Sequence, residues 1–271
     1  MTVHLDQPVP GLFVGQQDSI LTLRLDRPDR RNAINDDMMA GLIEALDMGG
    51  RDDSVRAVYL EGAGEHFCGG ADIVARNAGI DGRPRAGSIQ RRLPSQAHRL
   101  IPLICEVQVP VVCAVTGWAA GIGLQLAAAA DFTVAATDAT FWAPFSARGF
   151  TPDSGATWLL PRLVGTVRAR ELLLLGRRLS GTEAAEWGLV HQAVAPEEVG
   201  TVARALADRL ASGPTVSLGL TKWLLHSGAA LPLDGHLRNE ALTMEVSSRS
   251  EDFREGLGAF RERRDPDFTG R

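Results

Sequence analysis

The chain has 271 residues, 45% of them hydrophobic, and a formal net charge of −5. That length suits one large domain or a domain with an appendage, and the apolar share can fill a sizeable core. The acidic balance, with no long basic run, excludes a nucleic-acid binder, and three cysteines without metal-ligand spacing (Cys68, Cys105, Cys113) suit buried free thiols of a reducing compartment.

No basic stretch followed by an apolar one opens the chain, so no secretory leader and a cytoplasmic location are expected. Residues 19–25, SILTLRL, alternate as a strand does, and GLFVG before them is placed to pair across QQDS. Asn35 is placed to cap a helix whose apolar face is Met38, Met39, Leu42 and Leu46. VRAVYLEG (55–62) reads as a second strand and leads into a glycine-rich loop, GAGEHFCGGAD (62–72). A polar, glycine-rich segment occupies 77–88, and a helix is expected around 95–105. A buried strand is expected at 109–115.

From Val107 to Ala130 no residue is charged. The run is long enough to span a membrane, but Pro110 and glycines 117, 121 and 123 interrupt it. Its first half is β-branched, VPVVCAV, and its second half, AGIGLQLAAAAD, is rich in alanine. A buried strand, a tight turn and a buried helix account for that pattern, so no membrane span is expected. Short strands are expected near 132–135 and 140–142, then a loop from Pro144 to Asp153 and a helix beginning in SGATWLLPRL. SGTE (180–183) is a capping box for a short helix that ends at Gly188. Beyond VHQAV the pattern is helical over 196–211, 215–227, 232–249 and 251–263. The alternation predicts an α/β core over 1–195, its sheet mainly parallel, and a C-terminal helical region over 196–271.

Two glycine-rich loops, 62–72 and 117–123, each follow a strand and precede a helix. Backbone N–H groups at such a helix start can hold negative charge; tight packing with positive-φ glycines explains the loops equally well. GWAAGIG lacks the G-x-G-x-x-G spacing of a dinucleotide site and comes late in the chain. Asp153, in GFTPDSGATWLL, is placed to cap the helix after it. Asp131 and Asp138 fall at a helix end and a turn. His66 and Cys68 lack a third orienting group, so a solvated loop histidine is expected. Arg27, Arg30 and Arg31 form a basic turn, solvated or facing phosphate. Gln125 is the lone polar side chain of the alanine-rich helix. An amide can orient a substrate or water but cannot exchange protons near neutral pH.

Five stretches, LDRPDRRNAIN, GAGEHFCGGADI, PVVCAVTGWAAGIGLQLAAAADF, FTPDSGATWLLPRLVG and LSGTEAAEWGLV, resemble the crotonase (enoyl-CoA hydratase/isomerase) superfamily in order and spacing. The tail SRSEDFREGLGAFRERRDPDFTG resembles that family's end. The resemblance implies a crotonase-like spiral of β-β-α units with a C-terminal helical region that forms trimers or hexamers. It implies an acyl-CoA thioester as substrate, with coenzyme A part of the substrate and neither cofactor nor metal. The thioester oxygen would sit in an oxyanion hole made by the backbone N–H groups of Ala71 and Ile122. Arg30, Arg31, Ala33, Ala71, Asp72 and Ile73 would lie along the coenzyme A moiety.

The chain also departs from that pattern. The family's hydratases carry glutamates where this chain has Gln125 and Phe145, and a glycine where it has Ile122. Asp153 stands where the double-bond isomerases, and a branch that displaces halide from an aromatic ring, carry their essential aspartate. The wording around it resembles the branch that rearranges the ring epoxide of an aryl-acetyl-CoA. The resemblance therefore implies an isomerase with Asp153 as acid/base. Gln125, Phe145, Trp118 and Trp142 would line its pocket, the aromatics as an apolar wall or as plain core. Two other readings stay open: an enoyl-CoA hydratase of fatty-acid β-oxidation, and a non-catalytic acyl-CoA binder.

Overall fold

The computed structural model describes residues 7–72, 87–228 and 230–271. Its strands are β1 (Leu12–Gln17), β2 (Ile20–Leu25), β3 (Ala57–Gly62), β4 (Val111–Val115), β5 (Trp118–Ala120), β6 (Phe132–Ala136), β7 (Thr140–Trp142), β8 (Arg178–Ser180) and β9 (Gln192–Val194). Its helices are α1 (Asp36–Gly49), α2 (Ser88–Arg92), α3 (Ala97–Glu106), α4 (Ile122–Ala129), α5 (Ala156–Leu174), α6 (Gly181–Glu186), α7 (Val199–Ala211), α8 (Thr215–Gly228), α9 (Leu233–Ser247) and α10 (Glu251–Glu262).

One sheet runs in the order β1-β2-β3-β4-β6-β9, antiparallel between β1 and β2 and parallel elsewhere. A second, smaller sheet runs β5-β7-β8. The hairpin is tighter than the sequence suggests. Gln16 and Gln17 continue β1, and the turn is Asp18–Ser19, with Asp18 at φ 52°. Two-residue hairpins need left-handed backbone, which aspartate tolerates, so the turn forms there and not over all of QQDS.

Local signals set several boundaries. The Asn35 carboxamide oxygen accepts the Met38 N–H at 2.8 Å, and the four apolar residues of α1 are buried beneath it. Ser180 and Glu183 form both halves of the capping box on α6. The uncharged run becomes β4, β5 and α4, and every residue of β4 and α4 is buried. A helix that is apolar all round has no solvent face to offer and lies inside the core. No helix among the described residues is long and apolar enough to cross a membrane.

After β9 helices run alone. α7 lies on β3, β4 and β6, while α8 reaches back to α3. Lys222 of α8 fixes that docking. Its buried ammonium pairs with Asp131 at 2.6 Å and donates to the Val109 carbonyl at 3.2 Å.

Candidate active site

Two loops meet where the sheets join. Ile34 N–H donates to the Gly70 carbonyl at 2.9 Å, and Asp72 N–H donates to the Ile34 carbonyl at 2.8 Å. Both backbone groups of Ile34 are thus taken by the residues flanking Ala71, and the Ala71 N–H points to the other side. A second bridge ties the loop to β5: Cys68 N–H donates to Trp118 and Ala120 N–H to Cys68, at 2.8 and 2.9 Å. The chain then turns into α4 at Gly121, so Ile122 begins the helix with an N–H that has no carbonyl four residues back.

Glycines make the approach of the two loops possible. Gly70 sits at φ 110°, and a Cβ there would lie 3.2 Å from the Ala120 carbonyl oxygen. A Cβ on Gly123 would lie 2.7 Å from both Cβ and O of Cys68. Packing and the convergence of N–H groups are therefore one feature.

A cavity of about 470 Å³ opens at this point. Ala71 and Ile122 line it, together with Phe145 and Asp153. Among the described residues Asp153 is its one lining carboxylate. The expected cap is absent. Gly155 occupies the N-cap position of α5, with no side-chain cap, and Asp153 offers the helix only its backbone carbonyl, which accepts Ala156 N–H at 3.0 Å. Ser154 and Gly155 are both left-handed, at φ 52° and 78°, which sets the Asp153 side chain apart from the helix axis. The half-buried carboxylate accepts the Ser154 hydroxyl at 2.9 Å.

The residues of the basic turn separate. Arg30 and Arg31 are exposed, and Ala33 is half-buried beside them. Arg27 is not part of a solvated cluster: it pairs with buried Asp72 at 3.0 Å and donates to the Ala33 carbonyl at 2.8 Å. Ile73 lies outside the described residues, as does most of 77–88. Sequence reasoning missed Asn32, whose buried side chain holds the loops together. Its amide donates to the carbonyls of Ala63 and His66 at 2.9 and 2.5 Å, and its oxygen accepts Arg27 N–H at 2.8 Å. The signal was an asparagine between two apolar-flanked turns, in RRNAI.

Three expected pocket residues lie elsewhere. Trp118 and Trp142 do not line the cavity. Phe141 of β7 points into the core, so strand alternation turns Trp142 outward, and Trp118 shares that face. There the two indoles meet edge-on at 6.0 Å under the Arg178 guanidinium. Phe145 does line the cavity, and Phe150, which the sequence did not single out, packs edge-on to it at 5.6 Å. Gln125 is fully buried one turn beyond Ile122 and does not line the cavity; neither amide atom has a hydrogen-bond partner among the described residues. The basic side chains Arg92, His98 and Arg148 also line the cavity, brought there from separate elements.

His66 and Cys68 make no nucleophile pair. Burial pushes the Cys68 thiol up to about 12, so it stays protonated. His66 is half-buried, not solvated, because its ring lies over Gly117, where a Cβ would fall 2.2 Å from Nδ1.

The enoyl-CoA hydratase/isomerase family model matches residues 15–271. The chain is 41% identical to the 1,2-epoxyphenylacetyl-CoA isomerase of Escherichia coli K12, over 94% of this chain and 97% of that protein. It is 34% identical to the mitochondrial enoyl-CoA hydratase domain-containing protein 2 of Mus musculus, over 96% and 87%. Among solved structures, an enoyl-CoA hydratase from Bacillus anthracis superposes with a TM-score of 0.89 at 30% identity, covering 96% of this chain and all of that one.

Proposed function

The chain belongs to the enoyl-CoA hydratase/isomerase family, whose substrates are acyl-CoA thioesters, and we propose that it is an isomerase, moving a double bond or rearranging the ring epoxide of an aryl-acetyl-CoA. The observation that carries this reading is the makeup of the cavity. Ala71 and Ile122 line it along with Asp153, its one lining carboxylate among the described residues.

In this reading the Ala71 and Ile122 N–H groups polarise the thioester carbonyl, and the α4 dipole adds to them. The α- and γ-protons become acidic. Asp153 removes one and returns it to another carbon of the resulting enolate, so the substrate gains and loses nothing overall. One carboxylate suffices, because the same group is base and then acid. Addition of water by the family's two glutamates finds no equivalent here, with a phenyl ring at 145 and a sealed amide at 125. Arg30 and Arg31, exposed beside the loop, would meet the coenzyme A phosphates. The name of the Escherichia coli relative supports the ring-epoxide variant. Exposed Leu225, Leu233, Leu242 and Met244 on α8 and α9 support assembly into a trimer or hexamer.

The deciding experiment offers the protein a 3-enoyl-CoA and crotonyl-CoA side by side. Double-bond transfer without gain of water supports the isomerase. Fast hydration of crotonyl-CoA would favour the hydratase reading, and binding without turnover of either would favour an acyl-CoA binder.

A further inference from the structure

A second cavity, of about 640 Å³, adjoins the first and shares Ala97, His98 and Ser154 with it. Three elements wall it: α3 with Ile101 and Cys105, the start of α5 with Trp158 and Leu159, and α8 with Trp223 and His226. Ser154 follows Asp153, so the wall that the two cavities share lies beside the proposed acid/base. Both volumes fall in the ~300–1,000 Å³ range of small-molecule sites.

The walls are mostly apolar, with Trp158 and Trp223 exposed at the mouth. His98 and Glu106, both exposed, line it too, as do Ser154 and Ser227, whose hydroxyls donate to the Asp153 carboxylate and the Leu224 carbonyl. His226 is half-buried and makes no hydrogen bond to any described residue. Burial lowers its pKa from 6.5, with Asp131 and Glu106 raising it and Lys222 lowering it. Asp131 and Lys222 are spent on each other, and Glu106 is exposed at the rim. The Cys105 thiol, pushed up to about 11 by burial, is a neutral neighbour.

Resting on the reading that the thioester lies against Ala71 and Ile122, we propose that this second cavity holds the far end of the acyl group, and that His226 selects acyl groups carrying a hydrogen-bonding oxygen there. A short acyl group leaves both tryptophans wet; a longer one covers them. A neutral imidazole offers one N–H donor and one acceptor nitrogen, so it can satisfy a hydroxyl or a carbonyl. A plain hydrocarbon end would strip water from His226 and give nothing back.

The test is calorimetric titration of the whole protein with saturated, unreactive thioesters: butanoyl-CoA, octanoyl-CoA and 8-hydroxyoctanoyl-CoA. Octanoyl-CoA is expected to bind more tightly than butanoyl-CoA, by about fourfold for each methylene that enters. The hydroxylated thioester should exceed octanoyl-CoA by about three- to tenfold, the worth of one hydrogen bond. His226→Leu should reverse that last order. Ile101→Trp, or Leu159→Trp from the other wall, should fill the cavity and erase the chain-length gain. Affinity that ignores chain length would overturn the acyl-end assignment. A hydroxyl preference unchanged in His226→Leu would overturn the role of His226. Because these thioesters do not react, an inactive protein that still shows both effects would refute the isomerase reading and keep this one.

Discussion

Lys222 of α8 meets Asp131, just past the end of α4, at 2.6 Å, with both side chains largely out of solvent. Asp131 also accepts the Val111 N–H at 2.8 Å, so one carboxylate ties a C-terminal helix to the first residue of β4. Burial lowers the lysine's pKa, and Asp131 works against that shift. Removing one partner of such a pair leaves the other charge uncompensated, at ~3–5 kcal/mol. Lys222→Met is therefore expected to lower the denaturation midpoint sharply. Adding Asp131→Asn should recover part of the loss, because the amide oxygen can still accept Val111 N–H without a stranded charge. Urea unfolding of the single and double variants checks this; a double variant no better than the single would show that the pair acts only through packing.

Gln125 is where a stability measurement speaks most directly. Its amide is fully buried and unpartnered among the described residues. An unmade hydrogen bond of this kind costs about 1–3 kcal/mol, and methionine has nearly the same shape without the polar atoms. Gln125→Met is expected to leave the protein as stable as before, or more stable by about 1 kcal/mol. A marked fall in melting temperature would mean that the amide has a water or ligand partner it depends on.

The sequence and the structure part at identifiable places. The Asn35 cap, the Ser180–Glu183 box and the strand-turn-helix from 107 to 130 were legible because each is fixed by neighbours within a few residues. At Asp153 the local pattern misleads: aspartate before a helix reads as a cap, the family resemblance alone pointed to an acid/base, and the left-handed pair Ser154–Gly155 is what leaves the cap unmade. Trp142 failed for a different reason. A three-residue strand has alternation but too little of it to say which face is inward, and the core chose Phe141. Arg92, His98 and Arg148 reach the cavity from distant stretches, and no local pattern marks such a meeting.

His226 gives a pH prediction with a definite sign. Its folded pKa lies below the 6.5 of the free side chain, chiefly through burial. Between those two values the unfolded chain binds more protons than the folded one, so stability rises with pH across that window and falls as pH drops below 6.5. Melting temperatures taken from pH 7 down to about pH 5 should show this acid-side loss in the wild type and a shallower one in His226→Leu. Equal slopes in the two proteins would assign the loss to other groups.

Asp153→Asn separates a catalyst from a cap. Asparagine caps a helix about as well as aspartate, and here α5 takes only the backbone carbonyl of residue 153, so the stability of this variant is insensitive to either role and its activity decides. The asparagine variant should therefore melt within about 0.5 kcal/mol of the wild type, the range of substitutions that break no structural feature. Its kcat on a 3-enoyl-CoA should fall by ~10²–10⁴-fold, the contribution of a positioned acid/base, while KM changes little because the amide keeps the shape of the cavity. Deuterium exchange at the α-carbon of a saturated acyl-CoA gives a second readout, since it needs the base but no double bond. Near wild-type kcat together with undiminished exchange would remove Asp153 from the mechanism and turn the search for the base to His98, the titratable imidazole that lines the same cavity.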